Sequence, residues 1–151
     1  MKAVIQNVID AELSVDNKQI ARISRGFVIF VGFADGDDAE IIRKMIDKIV
    51  NMRVFQDGDG KTNLSILDIK GEILSVSQFT LYADVSNGRR PSFTKALEAN
   101  KASELFDYFN DSLLDIFGPI QKGIFGADMK VSLLNDGPFT MILDSKELFA
   151  K

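Results

Sequence analysis

Ser77-Gln78-Phe79-Thr80-Leu81 and Asn135-Asp136-Gly137-Pro138-Phe139-Thr140 hold the residues of this chain whose types and spacing could do chemistry. The chain has no histidine and no cysteine, which excludes imidazole bases, thiolate nucleophiles and nearly every standard zinc arrangement. What remains is hydroxyls, side-chain amides, backbone groups and carboxylates, or a substrate that assists its own reaction. Ser77 and Thr80 are weak nucleophiles at neutral pH without an adjacent base, and no lysine motif stands beside them. On residue type alone, hydrogen bonding within a strand is the simpler account of both. Strict alternation also puts them on opposite faces, so a pocket using both needs the strand to bend or end near Phe79. Gly137-Pro138 reads as a turn between two strand-like runs. Only about 5–6% of X–Pro bonds in folded proteins are cis, and where cis occurs it is a deliberate feature.

Other polar groupings have plainer readings. Asp57-Gly58-Asp59-Gly60-Lys61 begins like a calcium loop, but Lys61 takes the third acidic position and Thr62 the glycine position, which leaves a hairpin turn. Asp35, Asp37 and Asp38 read as helix-capping carboxylates rather than metal ligands. Asn7 interrupts an apolar row, so its amide faces the core, an interface or a pocket. An unpartnered buried amide costs about 1–3 kcal/mol, so a hydrogen bond to nearby backbone at a strand bend competes with a functional role. Between Val85 and Lys95 the only charges are Arg89, Arg90 and Lys95, a patch open to two readings: phosphate contact or solvated loop.

The elements that must position these residues follow from patterning. At 151 residues the chain fits one domain, taken as 1–151, with no repeat or linker, and that length supports a sizeable core. Ala3, Ile5, Asn7, Ile9, Ala11, Leu13 and Val15 alternate as one buried face of a strand, Asp16-Asn17-Lys18 turns, and Gln19 to Ser24 returns. Gly26 to Phe33 is an almost unbroken apolar run, as in a central strand covered on both sides. Ile41, Ile42, Met45, Ile46, Ile49 and Val50 keep helical spacing. Val54-Phe55 starts another strand, and Glu72 to Tyr82 is a further one. A second helix is expected from about Thr94 to Phe117, stopped by Gly118-Pro119. Ile120–Phe125, Met129–Leu134 and Phe139–Asp144 supply two or three closing strands. The order predicts an α+β domain: a curved, mostly antiparallel, barrel-like sheet with two packed helices.

The start of the chain lacks a signal-peptide core and no apolar run approaches the ~18 residues of a membrane span, so the cytoplasm is the expected compartment. A net charge of −4 argues against wrapping of nucleic acid through phosphate neutralisation alone, and neither DNA nor a membrane is expected as a partner.

Five segments in order give the chain a close resemblance to the D-aminoacyl-tRNA deacylases, the D-Tyr-tRNA(Tyr) deacylase family. They are Met1-Lys2-Ala3-Val4, Ser77-Gln78-Phe79-Thr80-Leu81-Tyr82-Ala83, Gly88-Arg89-Arg90-Pro91-Ser92-Phe93, Gly123-Ile124-Phe125-Gly126-Ala127-Asp128-Met129 and Asn135-Asp136-Gly137-Pro138-Phe139-Thr140. The resemblance implies a cofactor-free, metal-free homodimer that hydrolyses the ester between a D-amino acid and the terminal ribose of tRNA, and accepts glycine as well, including glycine mischarged on tRNA(Ala). It implies a cis Gly137-Pro138 dipeptide reaching into the partner subunit's pocket, which Ser77, Gln78, Phe79 and Thr80 would build, with Ala102, Phe125, Met129 and Asn7 at further substrate-binding positions. Carbonyls of the dipeptide would hold the α-ammonium group and leave no room for an L side chain. Catalysis would then be positioning, with a ribose 2′-hydroxyl assisting water and backbone N–H groups near Phe79 and Thr80 facing the oxyanion. A covalent Thr80 is the competing route. The family commonly has arginine where Asn7 stands, which puts the docking of the dipeptide loop in question at that position. The rival to an enzyme is a non-catalytic dimer that binds a D-amino-acid-like ligand, or an RNA or replication partner.

Overall fold

In the computed structural model, which describes residues 1–150, the first strand, β1 (Lys2–Val15), organises the sheet. Its first half pairs antiparallel with β3 (Gly26–Gly32), and its second half with β2 (Lys18–Ile23). Asp16 and Asn17 make the connecting turn, both with positive φ (49° and 61°), the combination that suits a tight hairpin. Along its other side β1 pairs antiparallel with β8 (Met129–Asp144) from end to end. β6 (Glu72–Ser77) runs parallel to β3, and β7 (Gln121–Lys122) parallel to β6. β4 (Phe55–Gln56) and β5 (Thr62–Leu64) form a separate small hairpin. β2 lies against β6 and β7 and nearly closes the sheet into a barrel.

The expected α+β class holds, with a curved sheet, two long helices and a short third one. Two strand pairs are parallel, and the connections explain why. The chain passes from β3 to β6 through α1 (Ala39–Asn51), and from β6 to β7 through α2 (Ala99–Ile116); such crossovers return a strand in the same direction. At Gly26 a Cβ would lie 1.9 Å from the Glu72 carbonyl oxygen, so this parallel pairing requires glycine where it begins.

α1 starts where Asp38 accepts the Ile41 N–H at 2.9 Å, and it buries Ile42, Met45, Ile46, Ile49 and Val50. Asp37 does a different job: it accepts the Ala34 N–H at 2.7 Å and meets the Met1 ammonium group. α2 starts five residues later than the apolar pattern indicated. Before it, Phe93 to Ala96 make a turn, Leu97 donates to the Phe33 carbonyl at 2.9 Å, and the Glu98 carboxylate caps the Asn100 and Lys101 amides. The helix ends at Gly118, whose N–H reaches the Leu113 and Leu114 carbonyls with φ at 116°. α3 (Ser145–Leu148) closes the chain. Among the described residues no helix is long and apolar enough to cross a membrane.

The row on β1 expected to be one buried face breaks in the middle, where Ile9 is exposed and Val8 is buried instead, and the strand serves two cores. Ala3 and Ile5 join Phe27, Ile29, α1 and α2 on the helical side, whereas Val8, Ala11 and Leu13 join Val28, Leu74 and Val76 inside the barrel. The register against β8 shifts on both sides of Val8. Between the pairs Gln6–Thr140 and Val8–Asn135, β1 spends only Asn7, while β8 spends Asp136, Gly137, Pro138 and Phe139. β8 is thus one interrupted strand, not the two that sequence suggested. Asp57 settles the calcium-like segment as a hairpin: its carboxylate accepts the Asp59 and Lys61 amides at 2.9 and 3.0 Å and the Asn63 side chain at 3.2 Å. Those bonds, that from Lys61 above all, hold its pKa below the usual carboxylate value.

Candidate active site

β6 stops at Ser77, and the Gln78 N–H makes the last bond to β3, onto the Val31 carbonyl at 2.7 Å. The chain then winds into a single 3₁₀ turn, Phe79–Tyr82, rather than continuing as strand to Tyr82. Leu81 is the first residue whose N–H closes on the turn, at 3.4 Å from the Gln78 carbonyl. The amides of Phe79 and Thr80 precede that bond and have no acceptor among the described residues, as expected at the start of a helical turn.

A cavity of about 490 Å³ opens beside this turn. Ser77, Gln78 and Phe79 form one wall, Leu97, Ala99 and Ala102 a second, and Phe125, Gly126, Ala127, Met129 and Val131 a third; Phe30 and Val76 make the floor. Phe125 is held from behind by Phe106, with ring centroids 6.1 Å apart. Met129 takes its place because Gly123 has no side chain: a Cβ there would sit 2.5 Å from the Met129 sulfur. Among the described residues no Asp, Glu, Lys or Arg lines the cavity. The lining can therefore hold an apolar body and offer hydrogen bonds, but it cannot supply a charged acid or base.

Of the residues singled out from sequence, Ser77, Gln78, Phe79, Ala102, Phe125 and Met129 come together on this cavity. Thr80 does not line it. Its side chain is exposed, and its hydroxyl accepts the Gln78 amide at 2.6 Å, so the partner it has is a donor and not a base. Asn7 is also elsewhere. It is buried on the helical side of β1, where its amide nitrogen donates to the Val54 carbonyl at 3.0 Å and its oxygen has no partner. The backbone-bonded account of Asn7 fits this geometry, and a substrate contact within the same chain does not. The basic patch also shrinks: Lys95 pairs with Asp84 at 2.8 Å, which leaves Arg89 and Arg90 exposed without an ion pair among the described residues. That pairing, with two bonds from Ser86, holds the Asp84 carboxyl far below the usual range.

Gly137 and Pro138 are exposed, and the bond between them is cis. They cannot reach the cavity of their own chain. Val131 is on its wall, and six residues of extended strand carry Gly137 about 20 Å further along β8.

Sequence reasoning missed Phe30, Val76, Leu97, Ala99 and Val131 as site residues, and quoted Gly126 and Ala127 only as part of a matching segment. Alternation of Met129 and Val131 along β8 was an available signal. Leu97 and Ala99 were hidden by assigning them to the helix interior.

The sequence profile of the family described as D-Tyr-tRNA(Tyr) deacylase matches residues 4–144. A D-aminoacyl-tRNA deacylase of Lactobacillus acidophilus is 51% identical over 144 residues, covering 95% of this chain and 99% of that protein. Among solved structures, one described as c-Myc DNA Unwinding Element Binding Protein superposes with a TM-score of 0.91 at 39% identity, covering 95% of this chain and 98% of the other. One described as a probable eukaryotic D-amino acid tRNA deacylase superposes with a TM-score of 0.82 at 20% identity, covering 94% and 97%, a likeness of fold.

Proposed function

The chain belongs to the D-Tyr-tRNA(Tyr) deacylase family, and from that premise we propose that it hydrolyses the ester between a D-amino acid and the terminal ribose of tRNA. The products are the free amino acid and the tRNA, and the cytoplasm, where tRNA is charged and used, is the setting. The observation that carries this reading is the lining of the cavity: apolar walls, neutral polar groups at the rim, and no ionisable side chain.

Such a lining suits an ester that is already activated. Water adds to the carbonyl carbon, the ribose oxygen leaves with a proton, and the neighbouring 2′-hydroxyl assists the attack. The protein positions the ester and presents the free amides of Phe79 and Thr80 to the developing oxyanion. Thr80 acts through its backbone and not as a nucleophile, since only an amide donor stands beside its hydroxyl. Arg89 and Arg90, exposed and without an ion pair among the described residues, would meet phosphates of the acceptor end.

Stereochemistry comes from a second copy of the chain. Among the described residues no carboxylate lines the cavity to meet the substrate's ammonium group, and in this reading carbonyl acceptors of a second copy do so. Gly137 and Pro138 of a partner fit that need, and their main chain occupies the direction of an L side chain. Glycine, with nothing to clash, is accepted, including glycine mischarged on tRNA(Ala). Support for a dimer lies in β8, which pairs with β1 on one edge only and exposes Leu134 (53%) and Ile142 (76%), an apolar strand edge that soluble monomers seldom leave uncovered.

The deciding experiment incubates the purified protein with D-Tyr-tRNA, L-Tyr-tRNA and glycyl-tRNA. Release of D-tyrosine and glycine with L-tyrosine retained is expected. No release from any of the three would sink the enzyme and favour a binding dimer. Mixing inactive Pro138 and Gln78 variants should regenerate about one working site per mixed dimer; no recovery would place each site within one subunit.

A further inference from the structure

We propose that Phe79 and Phe93 form a stacking surface at the mouth of the cavity for the nucleobase that precedes the terminal adenosine, with Arg89 and Arg90 meeting its phosphates. This placement depends on the cavity holding the aminoacylated end of tRNA. A volume of about 490 Å³ suits a single ligand of aminoacyl-nucleoside size, so the next nucleotide must cross the rim.

The rim there is aromatic. Phe79 lines the cavity yet is 54% exposed, and Phe93, 38% exposed, meets it edge-to-face with ring centroids 5.0 Å apart at 71°. An edge-to-face pair leaves ring faces uncovered, and two adjoining exposed phenylalanines on a polar surface mark a contact site. Phe93 is also fixed in place. Asp84 and Ser92 exchange backbone bonds of 2.8 and 2.9 Å just before it, Lys95 pairs with Asp84, and Ala96 donates to the Phe93 carbonyl at 3.0 Å. With its main chain held and its ring edge-to-face against Phe79, Phe93 gives up less freedom on binding than a ring on a free loop.

Charge selects the occupant. The hairpin that ends at Ser92 carries Arg89 and Arg90, neither ion-paired among the described residues, and three residues bound the Arg90–Phe93 Cα separation at about 10 Å. Aromatic faces beside unpaired guanidinium groups match single-stranded nucleic acid, where bases stack and phosphates are neutralised. An acidic protein surface could meet the two guanidinium groups, but it would have no flat ring to lay on the exposed phenylalanine faces, whereas a nucleotide brings both a base and a phosphate.

Binding of adenosine and of the trinucleotide CCA to the wild type, Phe93→Ala, Phe93→Tyr and Arg89→Gln/Arg90→Gln would test this, read by NMR titration. The wild type should bind CCA more tightly than adenosine. Phe93→Ala should lose about tenfold on CCA and less than twofold on adenosine, Phe93→Tyr should keep the affinity, and the double arginine variant should flatten the salt dependence on CCA. Equal losses on both ligands would reduce Phe93 to a support for Phe79. No loss on either, or no preference of the wild type for CCA, would overturn the stacking surface. D-Tyr-tRNA hydrolysis, measured separately, tells failure of this surface from failure of the enzyme reading.

Discussion

Gly123→Ala probes how the cavity wall is held. A Cβ at position 123 would lie 2.5 Å from the Met129 sulfur and 3.1 Å from Leu13 Cδ1, while the backbone there is not left-handed. The substitution therefore strains side chains and not the main chain. Extra methyl groups in packed interiors cost about 1–3 kcal/mol, and replacing glycine recovers about 0.4–1 kcal/mol through the unfolded chain. The net loss expected is about 0.5–2 kcal/mol. Met129 is flexible, and the open space beside it is the cavity, so its thioether should swing inward and crowd the ligand. KM should rise several-fold with kcat little changed. Urea unfolding of the wild type, Gly123→Ala, Met129→Ala and the double variant closes a cycle. Removing the Met129 side chain should relieve most of the cost, giving a coupling of about 1 kcal/mol with unchanged m-values. If Gly123→Ala costs the same with and without Met129, the contact is not what fixes the wall and the reasoning fails.

Thr80→Ala should keep most of the deacylase activity, because the groups assigned to the oxyanion are main-chain amides; complete loss with D-aminoacyl-tRNA still bound would restore the hydroxyl as nucleophile. Asp84→Asn should lower the urea midpoint at pH 6 and have a shrinking effect as pH falls. The sign follows from a folded-state pKa below the ordinary 3.8: the contribution is complete above that value and is lost progressively beneath it as the unfolded chain takes up the proton first. A gap that widens toward pH 3 would contradict the Lys95 and Ser86 bonds as its cause. Ser75→Ala and Tyr82→Phe remove buried hydroxyls that have no partner among the described residues, so thermal unfolding should show each neutral or slightly stabilising. A loss above about 1 kcal/mol for either would mean that the hydroxyl has a bonding partner after all.

How much of this was legible in the sequence depended on the range of the interactions. Local period and local chemistry carried β1, β2, β3 and α1, since alternation, the Asp16-Asn17 turn and the Asp38 cap are each decided within a few residues. Five residues of α2 were assigned wrongly because Leu97 looks like a helical position, yet its amide is taken by Phe33, sixty-odd positions away in sequence. The end of β6 was foreseen only as a condition for a pocket; Gln78 and Leu81 favour helix but Phe79 and Thr80 suit a strand, and four residues are too few to show a helical period. Cavity residues flagged through resemblance, such as Phe125 and Met129, were found, whereas Phe30 and Val76 read as ordinary strand core. Nothing in Lys95 itself shows that Asp84 cancels it.

The change of core along β1 and the exposure of Gly137-Pro138 have one structural origin. Proline has no N–H for a ladder and Gly137 sits at φ 126°, so neither residue can serve as regular strand. The pairing resumes only at Asn135 and Thr140, and the excess main chain between them has to leave the sheet opposite Asn7. On β1 the same break lets the buried row pass from the helical core to the barrel interior between Ile5 and Val8. Asn7, at that junction, is tied to Val54 on the far side of its strand, and so anchors the base of the extrusion to the small hairpin instead of reaching toward a ligand.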